Sequence, residues 1–442
     1  MIGRGRQIVA TVVTQLATVV LGAVTGMVIA RALHAEGRGA FSVVVTIATA
    51  ALSLGHLSVE QSHTALWRRA RTSIPANSVL LGPAAGSLAA VGALVVVLAL
   101  GPRAVPLPGY ALLLVALLAV PFGMTVLYLN NVLVLQGRVG VVNRAALLSA
   151  VVQCGTLLTF GLAGRLSVAV VVWIWAISTV LPLAVVIPAL RPRLRDADRA
   201  VARRALTYGL RHHLAFSALH LLLRIDVLLL NGLSSPAAVG LYTVAVTIGE
   251  LAWIVTNATA QVAVSQQANA ELTDSAAVTI AATRLSTILS AVTVLGMCAA
   301  GPVVIPLMYG SGFRDSVPAL LALAPGIFTF GATRAVGAHL IRLDRPMIIS
   351  GITLAAMAGN VALCLLLIPR WGLVGCALAS SAGYAVLGGA QVAWFLRATR
   401  TPARALVPGR AELDALRRAY RARRIRAASD PTGEPEAGGP RA

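Results

Sequence analysis

Apolar runs of twenty residues or more recur along the whole chain, and that recurrence leaves few folds open. About 20 apolar residues cross a bilayer as an α-helix, and within lipid only helices and closed barrels satisfy their own backbone polar groups. Twelve segments meet this rule, near 8–30, 41–62, 78–101, 109–135, 141–163, 167–190, 209–233, 239–262, 280–308, 316–340, 347–368 and 372–396. The ninth is over-long, and Gly301-Pro302 is expected to end its membrane part early. Charged residues make up 12% of the 442, about half the share of a soluble domain. Aromatics are scarce at 5%, which suits close-packed helices better than a barrel with aromatic girdles. The expected fold is therefore an all-α polytopic membrane protein.

Charge placement sets an expected orientation. All basic residues are arginine, and the formal net charge is +21. With the N-terminus cytoplasmic, the inward segments carry Arg4/Arg6, Arg68/Arg69/Arg71, Arg138/Arg144, seven arginines from Arg191 to Arg211, Arg284, Arg342/Arg345 and eleven from Arg397 onward. The outward loops hold only Arg31, Arg38, Arg103, Arg165, Arg314 and Arg370, while Arg224 and Arg334 stay embedded. This bias follows the positive-inside rule. It places both termini in the cytoplasm and makes the plasma membrane the expected location. Because the charge follows topology, no nucleic-acid partner is expected. The four cysteines lie in apolar runs without paired spacing and read as small core residues. The tail from Ala398 is Arg-rich and then Pro/Gly/Glu-rich. Leu413, Leu416 and Tyr420 share a helical face there, so it reads either as a surface helix on anionic inner-leaflet lipid or as a solvated basic tail.

An internal repeat organises the chain. Gly39-Ala-Phe-Ser-Val-Val-Val-Thr-Ile-Ala48 aligns without gaps on Gly240-Leu-Tyr-Thr-Val-Ala-Val-Thr-Ile-Gly249. A weaker anchor sets Gln136-Gly-Arg138 against Leu343-Asp-Arg345, and Pro121 and Pro325 match as mid-span prolines. Six segments separate the copies, so both halves insert the same way round. The expectation is two six-helix bundles, 1–205 and 206–397, related by a pseudo-two-fold axis along the membrane normal, with 398–442 as the cytoplasmic tail. A binding site is expected between the bundles.

Embedded charge marks the candidate residues, because burying it unpaired is costly and it is retained where it is used. Arg224 and Asp226 are two residues apart and cannot pair across one helix face. Depth arithmetic at about 1.5 Å per residue puts Arg224 and Glu250 at similar depth in adjacent antiparallel segments. They are expected to touch or share a wet cavity, with His220 one turn from Arg224. Arg334, beyond Pro325-Gly326, either binds a phosphate in bidentate fashion or snorkels to the interface. His56, Glu60 and His63 are spaced as one helix face, where Glu60 is a candidate for ion coupling or part of an interfacial polar patch. Asp226 is the second coupling candidate. Thr11, Gln15, Thr18, Gly22 and Thr25/Gly26 form a small polar stripe that faces a cavity or another helix. No nucleotide loop, zinc spacing or nucleophile–base pair is recognisable. Neither cofactor, metal nor catalytic residue is expected.

Several motifs carry a family resemblance. Ile29-Ala-Arg31-Ala-Leu33 leading to Glu36-Gly-Arg-Gly39-Ala-Phe41 resembles the first corner of polysaccharide and oligosaccharide flippases, relatives of the multidrug and toxin extruders and the lipid II flippases. Leu223-Arg-Ile-Asp226 with Gly240-Leu-Tyr-Thr-Val-Ala245 looks like that family's second-half motif. Pro306-Leu-Met-Tyr-Gly310 through Phe313 to Leu320, and Ile368-Pro-Arg-Trp-Gly-Leu-Val-Gly375-Cys-Ala-Leu-Ala379, are similar to its later signatures. The resemblance covers nearly all of residues 1–397. It implies two bundles rocking around a central cavity and a polyprenyl-pyrophosphate-linked oligosaccharide carried from inner to outer leaflet. Arg224 and Arg334 are the candidate pyrophosphate ligands, and a polysaccharide polymerase or glycosyltransferases the candidate partners. A cation-coupled drug extruder or a lipid II flippase of the same fold are the alternatives, and a membrane glycosyltransferase fits less well because the outer loops carry few polar groups.

Overall fold

The computed structural model describes residues 2–269, 272–342 and 346–409. Its helices are α1 (Ile2–Gly55), α2 (Val59–Leu66), α3 (Ser73–Ala104), α4 (Tyr110–Leu135), α5 (Val139–Leu162), α6 (Val168–Val180), α7 (Leu183–Leu190), α8 (Arg199–Leu222), α9 (Ile225–Leu233), α10 (Pro236–Leu251), α11 (Trp253–Asn269), α12 (Leu272–Tyr309), α13 (Ser316–Arg342) and α14 (Pro346–Thr399). No strand occurs among the described residues. Eight helical stretches are long and apolar enough to cross a membrane, or ten if each of two bent pairs is one crossing. The chain is a multi-pass membrane protein. Leu343-Asp344-Arg345 of the weaker repeat anchor, and the face of Leu413, Leu416 and Tyr420, lie outside the described residues.

Local chemistry explains where the helices start. Ser167 and Asp198 accept backbone N–H groups at the first turns of α6 and α8, and Ser235 does so for α10, with Pro236 at its first position. The breaks matter more for function. α1 and α14 are 54 residues each, about 80 Å at 1.5 Å per residue, far beyond a hydrocarbon core of about 30 Å. Each is interrupted by one non-helical residue, His34 (φ 55°) and Gly372 (φ 55°). The α8–α9 pair bends by 41° and the α10–α11 pair by 42°.

The core runs continuously between the two halves of the chain. Val43, Val44 and Ile47 of α1 share one buried cluster with Val239 and Val244 of α10, Leu320 of α13 and Cys376 of α14. Leu88 and Val95 of α3, Leu295 and Leu307 of α12 and Trp371 of α14 point outward and are exposed. An apolar coat of this kind is suited to lipid and is otherwise confined to interaction surfaces.

Three sequence expectations change here. His56, Glu60 and His63 do not share one helix, because Leu57 and Ser58 both take left-handed backbone conformations (φ 49° and 51°) and end α1 before α2 begins. The seventh segment is broken at Arg224 (φ −139°, ψ −19°). In the ninth, α12 continues as a helix through Pro302 and Pro306 to Tyr309. Arg38 is not in an exposed loop: the helix resumes after His34 and buries it to 7% exposure.

Candidate functional site

The two copies of the repeat meet face to face. A Cβ on Gly39 would overlap the Pro236 carbonyl oxygen and lie 2.9 Å from the Gly240 nitrogen, and a Cβ on Gly240 would overlap the Ala35 carbonyl oxygen. Ser42 Oγ and Thr243 Oγ1, which are 201 residues apart, are 3.4 Å from each other. Residue i touching j while the equivalent of j touches the equivalent of i is the signature of a local two-fold relation. Only glycine lets two helix backbones approach this closely.

Beside this crossing lies a cavity of about 450 Å³. α1 lines it with Arg38, Ser42, Thr46 and Thr49, and the second half lines it with His220, Arg224, Thr243 and Thr247. In this state Ser42 donates to the Arg38 carbonyl, Thr49 to that of Val45 and Thr247 to that of Thr243. The protons of these three hydroxyls are thus held by their own helices, and the guanidinium groups are the charged donors on the wall.

Arg224 reaches Glu250 with Nη2 3.0 Å from Oε1 and 3.2 Å from Oε2. The contact expected from depth is therefore present, and both side chains remain about one-third exposed (35% and 32%). The pair is open to solvent or ligand and is not sealed in the core. Arg38 was not singled out from sequence as a candidate. Its Nη1 donates to the Gly26 carbonyl at 2.7 Å, its guanidinium lies 5.4 Å from the Tyr309 ring centre, and its buried Nε has no hydrogen-bond partner among the described residues.

Asp226 lies between the wall residues Arg224 and Val227 in the chain and is fully buried. Its carboxylate accepts from Tyr242 Oη at 2.5 Å, from Ser380 Oγ at 2.6 Å and from the Val227 amide at 2.8 Å. The embedded carboxylate is thus held by α10 and α14 and makes no ion pair with Arg224. Asn360 Nδ2 extends the network to Ser380 Oγ at 3.4 Å.

The other sequence candidates are elsewhere. Arg334 hydrogen-bonds Asn257 Oδ1 and packs between Phe330 (4.7 Å) and Trp253 (5.1 Å). It is electrostatically linked to Glu250 but does not line this cavity. Gln15 is exposed on α1, where its carbonyl accepts from Thr18. Glu60 pairs with His56 Nδ1 at 2.9 Å. No cluster of three or more His, Cys, Asp or Glu side chains suited to a metal occurs among the described residues.

An apolar crevice of about 480 Å³ runs alongside, between α1, α3 and the α8–α9 bend. The bend divides its side chains by register: His220, Arg224 and Val227 face the polar cavity, while Leu221, Ile225 and Leu228 face the crevice.

No protein-family model matches the chain, and no curated protein matches it. Solved structures do. A multidrug-resistance MATE family transporter of the MOP superfamily, inward-facing, is similar at a TM-score of 0.68 and 16% identity, over 87% of this chain and 94% of that one. The lipid II flippase MurJ in an inward closed conformation is similar at 0.67 and 11%, over 90% and 89%. A Vibrio cholerae MATE transporter, VcmN, is similar at 0.62 and 13%, over 90% and 97%. The chain therefore has the fold of these transporters along nearly its whole described length.

Proposed function

We propose that this protein is a flippase, not an enzyme, that carries a polyprenyl-pyrophosphate-linked oligosaccharide from the inner to the outer leaflet by alternating access. The observation that carries the reading is the division at the α8–α9 bend. One side of the bend offers arginine and hydroxyl groups, and the other offers an apolar crevice. A ligand with an anionic, sugar-bearing head and a hydrocarbon tail is complementary to both at once. Arg224 and Arg38 are placed to meet the phosphates, the cavity hydroxyls to meet sugar, and the crevice to take the first isoprenoid units. Arg334 and Gln15 contribute only if the cavity enlarges in another state.

In this reading the breaks at His34 and Gly372 end separate spans and each bent pair is one span, which makes twelve in two six-helix bundles, 1–205 and 206–397. Both termini are cytoplasmic in the plasma membrane, and the 398–442 tail lies on anionic lipid. Polymerase or glycosyltransferase partners would consume or supply the lipid-linked sugar. Asp226 and Glu60 are the candidate coupling groups. A cation-coupled extruder of the same fold is the second reading, and the carboxylate of Glu250, paired with Arg224 of the cavity wall, is what favours it.

Lipid extracts of cells lacking the protein test the choice. Build-up of a lipid-linked oligosaccharide, reversed by the wild-type chain and not by Arg224→Ala at equal membrane abundance, is expected. An unchanged lipid pool together with raised drug sensitivity would refute the flippase reading in favour of the extruder.

A further inference from the structure

We propose that His56 Nδ1 is a proton site that sets the α1–α2 hinge, and through it the seam between α2 and α8. The inference concerns the hinge and the seam alone and stands whatever the substrate is. Its basis is a conflict at one atom. The Ser58 amide N–H donates to His56 Nδ1 at 3.0 Å, and Glu60 Oε1 lies 2.9 Å from the same nitrogen. A nitrogen with a free lone pair can accept the amide and cannot donate to the carboxylate. With a proton there it can donate to Glu60 and cannot accept the amide. The two partners belong to two protonation states.

The amide contact has a structural consequence. Leu57 and Ser58 are consecutive non-glycine residues in left-handed conformations, an arrangement that persists only when its surroundings hold it. His56 Nδ1 holds it from within. Tyr128 Oη holds it from α4 by donating to the His56 carbonyl at 2.8 Å. α8 holds it from the second half: a Cβ on Gly209 would overlap the Leu57 carbonyl oxygen, and Ser62 Oγ donates to the Ala205 carbonyl at 2.6 Å. His213 completes the clamp, with Nε2 2.8 Å from the Leu54 carbonyl, Nδ1 3.4 Å from Ser58 Oγ and its ring edge-on to His56 at 5.1 Å.

Among the described residues, the titratable and charged groups around the hinge are Glu60 and His63 from α2, Tyr128 from α4 and His213 from α8. His220 is linked electrostatically to both His56 and Arg224. A buried oxygen of Glu60, Nδ1 of His63 and Nε2 of His220 have no hydrogen-bond partner among the described residues. When Nδ1 gains a proton the Ser58 amide loses its acceptor, His56 turns to Glu60, and positive charge develops against His213 across the seam. The left-handed hinge relaxes and α2 separates from α8. The seam is therefore closed while Nδ1 carries no proton and opens when it gains one.

Spin labels at Ala65→Cys on α2 and Leu210→Cys on α8, both exposed positions, measure the seam. The full chain carries Cys298→Ser and is reconstituted in lipid. The expected result is a longer α2–α8 distance at pH 5.5 than at pH 7.5. His56→Asn keeps an acceptor near the place of Nδ1 that cannot be protonated, and should hold the short distance at both pH values. Glu60→Gln removes the negative charge that favours the protonated form and should move the transition to lower pH. An unchanged distance in the parent chain, or a full pH response in His56→Asn, overturns the proposal. If His56→Asn does not fold, an unmoved midpoint in Glu60→Gln overturns it instead.

Discussion

Replacing Gly39 with alanine should shift the protein out of the conformation described here while leaving the helices intact. The added methyl group would enter the Pro236 carbonyl oxygen and approach the Gly240 nitrogen to 2.9 Å. Both are backbone atoms, so no side chain can swing aside, and α1 and α10 have to separate. Forcing a methyl group into a filled contact costs about 1–3 kcal/mol, and about 2 kcal/mol is roughly a 30-fold change in an equilibrium constant. The cost falls only on the state in which the crossing is closed, so the closed-to-open ratio should drop by about that factor. Gly240→Ala meets the Ala35 carbonyl and should act alike. Gly22→Ala, with nothing within 4 Å of its Cβ, is the control. Spin labels at Glu36→Cys and Ser234→Cys, exposed residues flanking the crossing, report the ratio as the fraction of short distances. If Gly39→Ala matches Gly22→Ala in this assay, the crossing is not the element that separates the two states.

Three further outcomes follow from the same geometry. The swap Arg224→Glu/Glu250→Arg restores the pair, so thermal stability should return to within about 1 kcal/mol of wild type; pyrophosphate binding by calorimetry should stay lost, and its return would make Arg224 a packing residue. Asp226→Asn sets an amide against three donors, so a loss of about 1–3 kcal/mol in thermal unfolding is expected, and no change would mean the carboxylate is already protonated. Arg31 spans from α1 to the Leu307 and Met308 carbonyls at 2.6 and 3.0 Å. Arg31→Ala should favour separation of α1 from α12 by about 1 kcal/mol or less at this exposed site, read as a longer label distance between those helices.

Sequence periodicity made the lipid solvent, the repeat and the Arg224–Glu250 contact legible, each for a physical reason. Lipid demands long apolar runs, the tight crossing demands glycine at both Gly39 and Gly240, and rise per residue converts spacing to depth. Arg38 was not legible because Glu36-Gly-Arg-Gly39 has a loop's composition, yet the chain re-enters a helix after a single non-helical residue at His34. The Asp226 network was not legible because Ser380 is 154 residues away, and nothing local pairs a carboxylate with a serine in an apolar run. The His56 hinge was missed because Leu57 and Ser58 take left-handed conformations without glycine or asparagine to announce them.

The repeat and the charges obey different rules, and their difference locates the chemistry. Four of the hydroxyls come in equivalent pairs, Ser42 with Thr243 and Thr46 with Thr247, on the two walls of the cavity. The charged groups do not. Val239 stands at the position equivalent to Arg38, Ala23 at that of Arg224 and Thr49 at that of Glu250. Each half still supplies one arginine to the cavity wall, from different positions on its helices. A symmetric frame is what rocking about a common crossing requires, because both halves have to move about the same contact. Recognition of an asymmetric ligand has the opposite requirement, since a head group with a tail on one side cannot be met equally by two identical walls. In the proposed flippase reading the glycine crossing therefore belongs to the motion, and Arg38 and Arg224 to the ligand. Substitutions in the first set should alter the balance between states, and substitutions in the second should alter what is bound at a given balance.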